Sequence, residues 1–103
     1  MVKLTKKKII SEIKKREEEI REKFRIKKLW LFGSYTKNKQ KESSDIDLLV
    51  EFKRGEKNKL EKEVNLSIYL ERIFKKEIEL GEKRLLKNNY KNYILNDMLI
   101  RAC

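Results

Sequence analysis

Hydrophobic residues follow two periods along this chain, and the first 24 residues have the helical one. Ile9, Ile13, Ile20 and Phe24 fall on one face of a helix, because they are separated by four or seven residues. Thr5 is a suitable N-cap ahead of this stretch. The pattern predicts one amphipathic helix that begins at Thr5 and runs to about Phe24.

Helical spacing returns in two later stretches. The first predicts a helix that is capped by Asn58 and ends near residue 75. Its apolar positions at helical spacing are Leu60, Val64, Ile68 and the pair Leu70/Ile73 or Phe74. The second predicts a last helix over 83–98.

Three short runs have the pattern of strands instead. The runs from Ile26 to Phe32 and from Ile46 to Phe52 are mostly apolar, and polar or turn-forming residues follow each of them. Trp30, inside the first run, is expected in the core rather than stacked on a nucleobase. The run 77–81 alternates charged and apolar residues, which predicts a short strand with one acidic face.

The first strand ends in the pair Gly33-Ser34, which has the properties of a phosphate-binding turn. Gly33 has no Cβ, so a phosphate can approach its main chain closely and the backbone can take a strained turn. Ser34 is a good N-cap, and a helix that starts just after it would direct free N–H groups at an anion. Tyr35, the next residue, could stack on a ligand or cover the helix.

Two aspartates open the second strand at Asp45 and Asp47. Side chains alternate along a strand, so both carboxylates are expected on one face, while Ile46 and Leu48 point to the other. Carboxylates a few ångströms apart repel each other, and a hard cation or a shared proton relieves that repulsion. Magnesium prefers oxygen ligands and commonly takes one or two carboxylates together with substrate phosphates. The pattern therefore predicts a site for a nucleotide and its Mg²⁺.

The polar loop between the two halves of this site contains Lys37, Lys39 and Lys41. Lysines beside a phosphate turn can neutralise a triphosphate, but a solvated connection also explains them. For Lys37 both interpretations stay open. For Lys39 and Lys41 we favour a solvated loop.

Size and charge limit the classes of function. The 103 residues suffice for one domain with one core. A net charge of +11 suggests nucleic-acid binding, but residues 1–30 alone carry +7, and there Glu12/Arg16 and Glu17/Arg21 form i,i+4 pairs. We interpret this excess as the solvated face of an amphipathic helix. Direct nucleic-acid binding is not expected.

Location is suggested by the lack of secretion and membrane signals. Cys103 is the single cysteine, so no disulfide framework is expected, and the first ten residues lack the apolar region of a signal peptide. No stretch approaches the roughly 20 apolar residues of a membrane span. We expect a cytoplasmic protein that does not bind membranes.

Gly33-Ser34, separated by ten residues from Asp45-Ile46-Asp47, resembles the DNA polymerase β-like nucleotidyltransferase superfamily. Within it, the chain is most similar to the minimal nucleotidyltransferase domains that serve as antitoxins beside HEPN-type toxins. The resemblance covers nearly the whole chain. It implies an α+β fold, in which helices pack on a small mixed β-sheet, and a single domain over 1–103.

The same resemblance implies a third carboxylate on the next strand. Glu79 lies at that position, between Ile78 and Leu80, and Glu77 is the alternative. Two departures are visible. Members commonly have Arg-x-Arg-Gly after the Gly-Ser pair, where this chain has Tyr35-Thr36-Lys37-Asn38, and the third acid here is Glu rather than Asp.

The implied activity is protein adenylyltransfer: AMP passes from ATP to a tyrosine of a cognate HEPN-type toxin ribonuclease, and pyrophosphate is released. Gly33, Ser34 and Lys37 would hold the β- and γ-phosphates, and Asp45, Asp47 and Glu79 would bind two Mg²⁺ ions. Three alternatives stay open. They are an antitoxin of weak or no activity that acts by binding alone, a nucleotidyltransferase for an RNA end or an aminoglycoside, and a nucleic-acid-binding module.

Overall fold

The computed structural model of the chain describes residues 4–37, 40–41, 43–82 and 100–103. The helix expected over 83–98 lies outside these ranges, as do Asn38 and Lys39 of the polar loop. No helix in the described ranges combines the length and the apolar character needed to cross a lipid bilayer.

In the described residues, four strands form one mixed sheet. In chain order they are β1 (Ile26–Phe32), β2 (Ile46–Phe52), β3 (Ile78–Glu82) and β4 (Ile100–Arg101). The sheet order is β3-β2-β1-β4, in which β1 is antiparallel to both β2 and β4, and β2 is parallel to β3. The bounds expected for β1 and β2 are confirmed, and β3 begins one residue later than expected. A strand as short as β4 leaves no periodic signal in the sequence.

The helices pack against one face of this sheet. They are α1 (Lys6–Lys15), α2 (Glu17–Phe24) and α3 (Lys59–Phe74). Side chains from all three helices share one buried cluster with alternate residues of β1 and β2, among them Leu29, Leu31, Leu48 and Val50. The predicted α+β architecture, with helices on a small mixed sheet, is confirmed.

The prediction of one continuous N-terminal helix was wrong, because the helix breaks at Arg16. Thr5 caps α1 as expected, accepting a hydrogen bond from the Lys8 amide at 3.3 Å. At Arg16 the backbone leaves helical geometry (φ −110°, ψ 16°), and the guanidinium donates to the Glu12 carboxylate at 2.6 Å. Ile13 and Ile20 are seven residues apart, so the apolar phase continues across the break and conceals it.

The apolar face expected for α3 was wrong at Leu60, Val64 and Ile68 and right at Leu70 and Phe74. Leu60, Val64 and Ile68 are 75%, 48% and 41% exposed, whereas Leu66 and Leu70 are fully buried. Both sets have helical spacing, so periodicity alone could not choose between them. The set that packs inward has aromatic neighbours. Tyr69 contacts the Phe24 ring with centroids 5.3 Å apart, and Phe74 packs against the core. These aromatic side chains increase the apolar area that this face buries. Asn58 lies at the N-cap position but donates and accepts no capping bond through its side chain.

The residue that ends α3 offers a stability test. Lys75 has a left-handed backbone (φ 54°) and its amide donates to the Glu71 carbonyl at 2.7 Å. Because only glycine takes this conformation without steric cost, Lys75→Gly should raise the free energy of unfolding by roughly 0.5–1 kcal/mol. Arg72→Gly, in the last helical turn, should instead lower it by about 1 kcal/mol. Urea unfolding followed by circular dichroism measures both, and equal signs would contradict the assigned helix end.

Candidate active site

The strand register places two of the three predicted carboxylates directly opposite each other. Asp47 of β2 pairs with Glu79 of the parallel strand β3 on one side and with Phe32 of β1 on the other. Residues paired in this way project from the same face of a sheet. Their neighbours Ile46 and Leu48 are buried in the helix-side core, as expected. Asp47 and Glu79 therefore lie on the face opposite the helices.

Asp47 is partly buried, and its surroundings disfavour its negative charge. Burial, followed by a hydrogen bond to Glu79 and the negative charges of Glu79 and Asp45, raises the pKa of Asp47 to about 7. Near neutral pH, a proton on Asp47 therefore stabilises the contact of the two carboxyl groups. A bound cation would supply positive charge in place of this proton.

Asp45 stands apart from this pair. It is exposed, precedes β2, and acts on Asp47 only through its charge. Within the described ranges, no group of three or more Asp, Glu, Cys or His side chains is arranged to hold a metal ion. The donor set nevertheless fits Mg²⁺ chemically, because it consists of carboxylate oxygens with an excess of negative charge. The metal-binding roles of Asp45, Asp47 and Glu79 stay predictions.

The structure distinguishes Glu79 from its alternative, Glu77. Glu77 is exposed and precedes β3, and its backbone carbonyl accepts a hydrogen bond from the Ile46 amide at 3.0 Å. Its side chain has no part in the pKa shift of Asp47, whereas Glu79 contributes both a hydrogen bond and a charge. The carboxylate that meets Asp47 is therefore that of Glu79.

Gly33 is required at its position for a reason that the sequence did not suggest. Its φ of +79° is left-handed, and a Cβ added there would overlap Oδ2 of Asp47 and lie 3.1 Å from Cγ of Asp47. We expected the missing side chain to make room for phosphate. In the structure that room is taken by the Asp47 carboxylate, so any larger residue at 33 would displace it.

The turn after β1 differs from the expected helix with Ser34 as its cap. A single 3-10 turn spans Gly33–Tyr35, so Ser34 lies inside it, and the N-cap position is Phe32. The turn is closed by buried Thr36, whose amide and Oγ1 both donate to the Gly33 carbonyl, at 3.1 and 2.8 Å. Sequence reasoning missed Thr36, although a threonine three residues after a glycine is a common side-chain-closed turn.

Two aromatic residues near the turn belong to the packing. Tyr35 is fully buried in the helix-side cluster, so it does not stack on a ligand. Trp30 is 8% exposed and packs with Leu49 and Phe32 on the carboxylate side of the sheet. The expectation of a core role for Trp30 is confirmed. Phe32, which sequence reasoning did not single out, is the aromatic side chain next to Asp47.

Of the three lysines in the loop, the structure describes Lys37 and Lys41. Lys37 is partly buried and Lys41 is exposed. The assignment of Lys37 to phosphate binding and of Lys41 to a solvated loop stays a prediction.

Comparison with known proteins agrees with this geometry. Residues 13–101 match the family model for the nucleotidyltransferase domain. The chain is 33% identical over 99 residues to the protein adenylyltransferase MntA of Thermococcus cleftensis, a match that covers 96% of this chain and 98% of the relative.

Solved structures share the fold. A chain from a crystal structure of a toxin-antitoxin with AMP-PNP superposes with a TM-score of 0.67 at 18% identity, over 86% of this chain and 71% of that one. A chain from the complex of the tri-AMPylated Shewanella oneidensis HEPN toxin with its MNT antitoxin gives a TM-score of 0.61 at 14% identity, over 91% and 71%. With a family model matched over most of its length and the Asp47–Glu79 pair beside the Gly33 turn, the chain belongs to the nucleotidyltransferase domain family.

Proposed function

We propose that this chain is an antitoxin that transfers AMP from ATP to a tyrosine of a cognate HEPN-type toxin ribonuclease and thereby silences the toxin. The observation that carries the proposal is the Asp47–Glu79 pair on the sheet face beside the Gly33 turn. The names of the relatives support the same reading, since one is a protein adenylyltransferase and one solved complex contains an AMPylated toxin. We place the reaction in the cytoplasm.

In this proposal the chain binds a triphosphate and organises its negative charge. The main chain at Gly33 and Ser34, with Lys37, holds the β- and γ-phosphates, and Asp45, Asp47 and Glu79 hold two Mg²⁺ ions. When bound, Mg²⁺ lowers the pKa of the acceptor hydroxyl and neutralises charge that develops on the phosphates. Asp47 has to release its proton for this, and its raised pKa in the metal-free protein means that the cation competes with that proton below about pH 7.

The transfer itself is an in-line displacement. The acceptor oxygen attacks the α-phosphorus, the bond from that phosphorus to the bridging oxygen breaks, and pyrophosphate leaves with both electrons of the bond. The chain contains no histidine, so it supplies no imidazole base itself. Its contribution is to position the triphosphate and to surround it with fixed charges.

The acceptor is expected to come from a second protein, because Asp45 and Glu79 are exposed and Asp47 is only partly buried. Two cavities in the described residues, of about 440 and 220 Å³, are lined away from them, by residues 14–19 and by Lys14, Glu17, Arg21, Arg101 and Cys103. An open surface holds a small acceptor weakly. A folded partner can bury on the order of 800 Å² on each side and so orient its tyrosine.

Removing the Asp47 charge should stabilise the metal-free protein. The folded-state pKa of Asp47 is about 7, above the usual value for an unfolded chain, so the wild type loses stability as the pH rises from about 4 through 7. Asp47→Asn removes this loss and should be more stable than the wild type at pH 8 by roughly 1–2 kcal/mol, after allowance for solvent screening. At pH 4 the two should be equal. Chemical denaturation at both pH values in EDTA measures the difference, and exposed Glu77→Gln is the control that should show none.

Glu79 and its alternative Glu77 provide a test of catalysis. Glu79→Gln should lower the rate of AMP transfer at least 100-fold, because it removes a carboxylate that contacts Asp47. Glu77→Gln, which removes the same charge two residues earlier, should stay within about twofold of the wild type. Intact-mass measurement of the partner after incubation with ATP and Mg²⁺ gives both rates. A larger loss in Glu77→Gln would move the third ligand to that residue.

The identity of the acceptor is tested by offering alternatives in parallel. Labelled ATP and Mg²⁺ are supplied with the toxin partner, with RNA and with an aminoglycoside, and the label should enter the toxin tyrosine. Neutralising Lys37, Lys39 and Lys41 together should reduce transfer to the toxin more than it reduces ATP binding, since in the sequence these residues lie between the Gly33-Ser34 pair and Asp45. Labelling of RNA or of the aminoglycoside would refute the acceptor assignment. Neutralisation of the toxin without any label would instead favour an antitoxin that acts by binding alone.

A further inference from the structure

Asp45 has the fewest contacts of the three predicted ligands. It is exposed, and in the described part of the chain its carboxylate has no hydrogen bond and no ion pair. The position of this carboxylate therefore depends on how the backbone on either side of it is held.

That backbone is held on both sides by two consecutive residues of another segment. Before Asp45, the Ser44 carbonyl accepts a hydrogen bond from Nζ of Lys76 at 3.4 Å, in a partly buried position. After it, the Ile46 amide donates to the Glu77 carbonyl at 3.0 Å. Lys76 and Glu77 form the connection between α3 and β3.

The loop ahead of Asp45 also holds Ser44, through its side chain and its amide. The Lys41 amide donates to Oγ of Ser44 at 2.8 Å, and the Ser44 amide donates to the Lys41 carbonyl at 2.9 Å. The Ser44 peptide therefore has little freedom as long as its carbonyl is also held by Lys76. An ammonium donor makes this bond stronger than a neutral one of equal length.

We propose that Lys76 is a positioning residue for Asp45, and that it sets this carboxylate relative to the Asp47–Glu79 pair. Glu79 follows Lys76 by three residues, so the contact ties the segment that carries Asp45 to the strand that carries Glu79. The inference rests on the proposed function, since it concerns the cation site of that reaction. Sequence reasoning could not find Lys76, because it lies 32 residues from Ser44 in the chain.

A positioning role and a purely electrostatic role of Lys76 predict opposite effects of Lys76→Met on cation binding, so the two roles can be distinguished. If Lys76 acted only through its charge, removing that charge would strengthen the binding of a divalent cation nearby. If Lys76 positions Asp45, its loss should weaken cation binding, by roughly tenfold or more as is usual for residues that orient metal ligands.

The measurement is Mn²⁺ binding to the protein alone, followed by electron paramagnetic resonance of the free ion, so it needs neither ATP nor a toxin. Lys76→Met should weaken binding, and Lys76→Arg, which retains a charged donor of similar reach, should stay close to the wild type. Lys75→Met is the matched control, because it removes the same charge from the adjacent exposed residue and should have no effect. Ser44→Ala, which removes the bond from the Lys41 amide without any change of charge, should also weaken binding. If Lys76→Met fails to fold, the effect of Ser44→Ala on Mn²⁺ binding tests the proposal instead.

Equal or tighter Mn²⁺ binding in Lys76→Met than in Lys75→Met would overturn the inference and leave the proposed function untouched. Absence of Mn²⁺ binding by the wild type would overturn the inference. Absence of binding also with a non-hydrolysable ATP analogue present would overturn the proposed function as well, because no cation site would then exist. In the transfer assay, Lys76→Met should raise the Mg²⁺ concentration needed for half-maximal rate more than it lowers the rate at saturating Mg²⁺. A loss of rate that excess Mg²⁺ does not recover would also count against a positioning role.

Discussion

The candidate site depends on one constraint, the parallel pairing of β2 with β3 in a register that sets Asp47 opposite Glu79. Two carboxyl groups in contact on a partly buried surface repel each other unless a proton or a cation lies between them. What holds them there is the other face of the same strands. Ile46, Leu48 and Ile78 alternate with the acids and are buried under the helices, so the carboxylates cannot separate without exposing that core. The apolar core thus maintains an electrostatic strain that a nucleotide-bound cation would relieve.

The elements that the sequence predicted well are those in which a single signal was present. β1 and β2 are apolar runs with polar ends, and their observed bounds agree with the expected ones. The errors arose where two arrangements share one period. The break at Arg16 leaves the phase of Ile13 and Ile20 intact, and α3 carries two apolar stripes, of which the one containing Leu66 and Leu70 packs inward. Periodicity records which residues can share a face, but the partner surface decides which face is buried.

For the site, the residue types could be recognised before their contacts were known. Alternation along a strand was enough to expect Asp45 and Asp47 on one face, and the family resemblance added Glu79, which the structure places in contact with Asp47. The reason for Gly33 was not accessible, since it lies in the carboxylate of a residue 14 positions later. Lys76 escaped notice because its role comes from a bond to a backbone carbonyl 32 residues away, which carries no sequence signature of its own. Thr36 was missed although its bond to the Gly33 carbonyl is local and of a kind that threonine often makes.

The parallel register also decides where the chain can change length. The connection from β2 to β3 contains α3 with a turn at each end, and an extra residue there can be absorbed in the turns without altering which residues of β2 and β3 face each other. One residue inserted inside β2 before Asp47, by contrast, would turn its carboxylate into the helix-side core and bring the inserted residue opposite Glu79. Insertions and deletions in natural or engineered versions of this chain should therefore be confined to the connection between β2 and β3. The number of residues between the acids within each strand should not change.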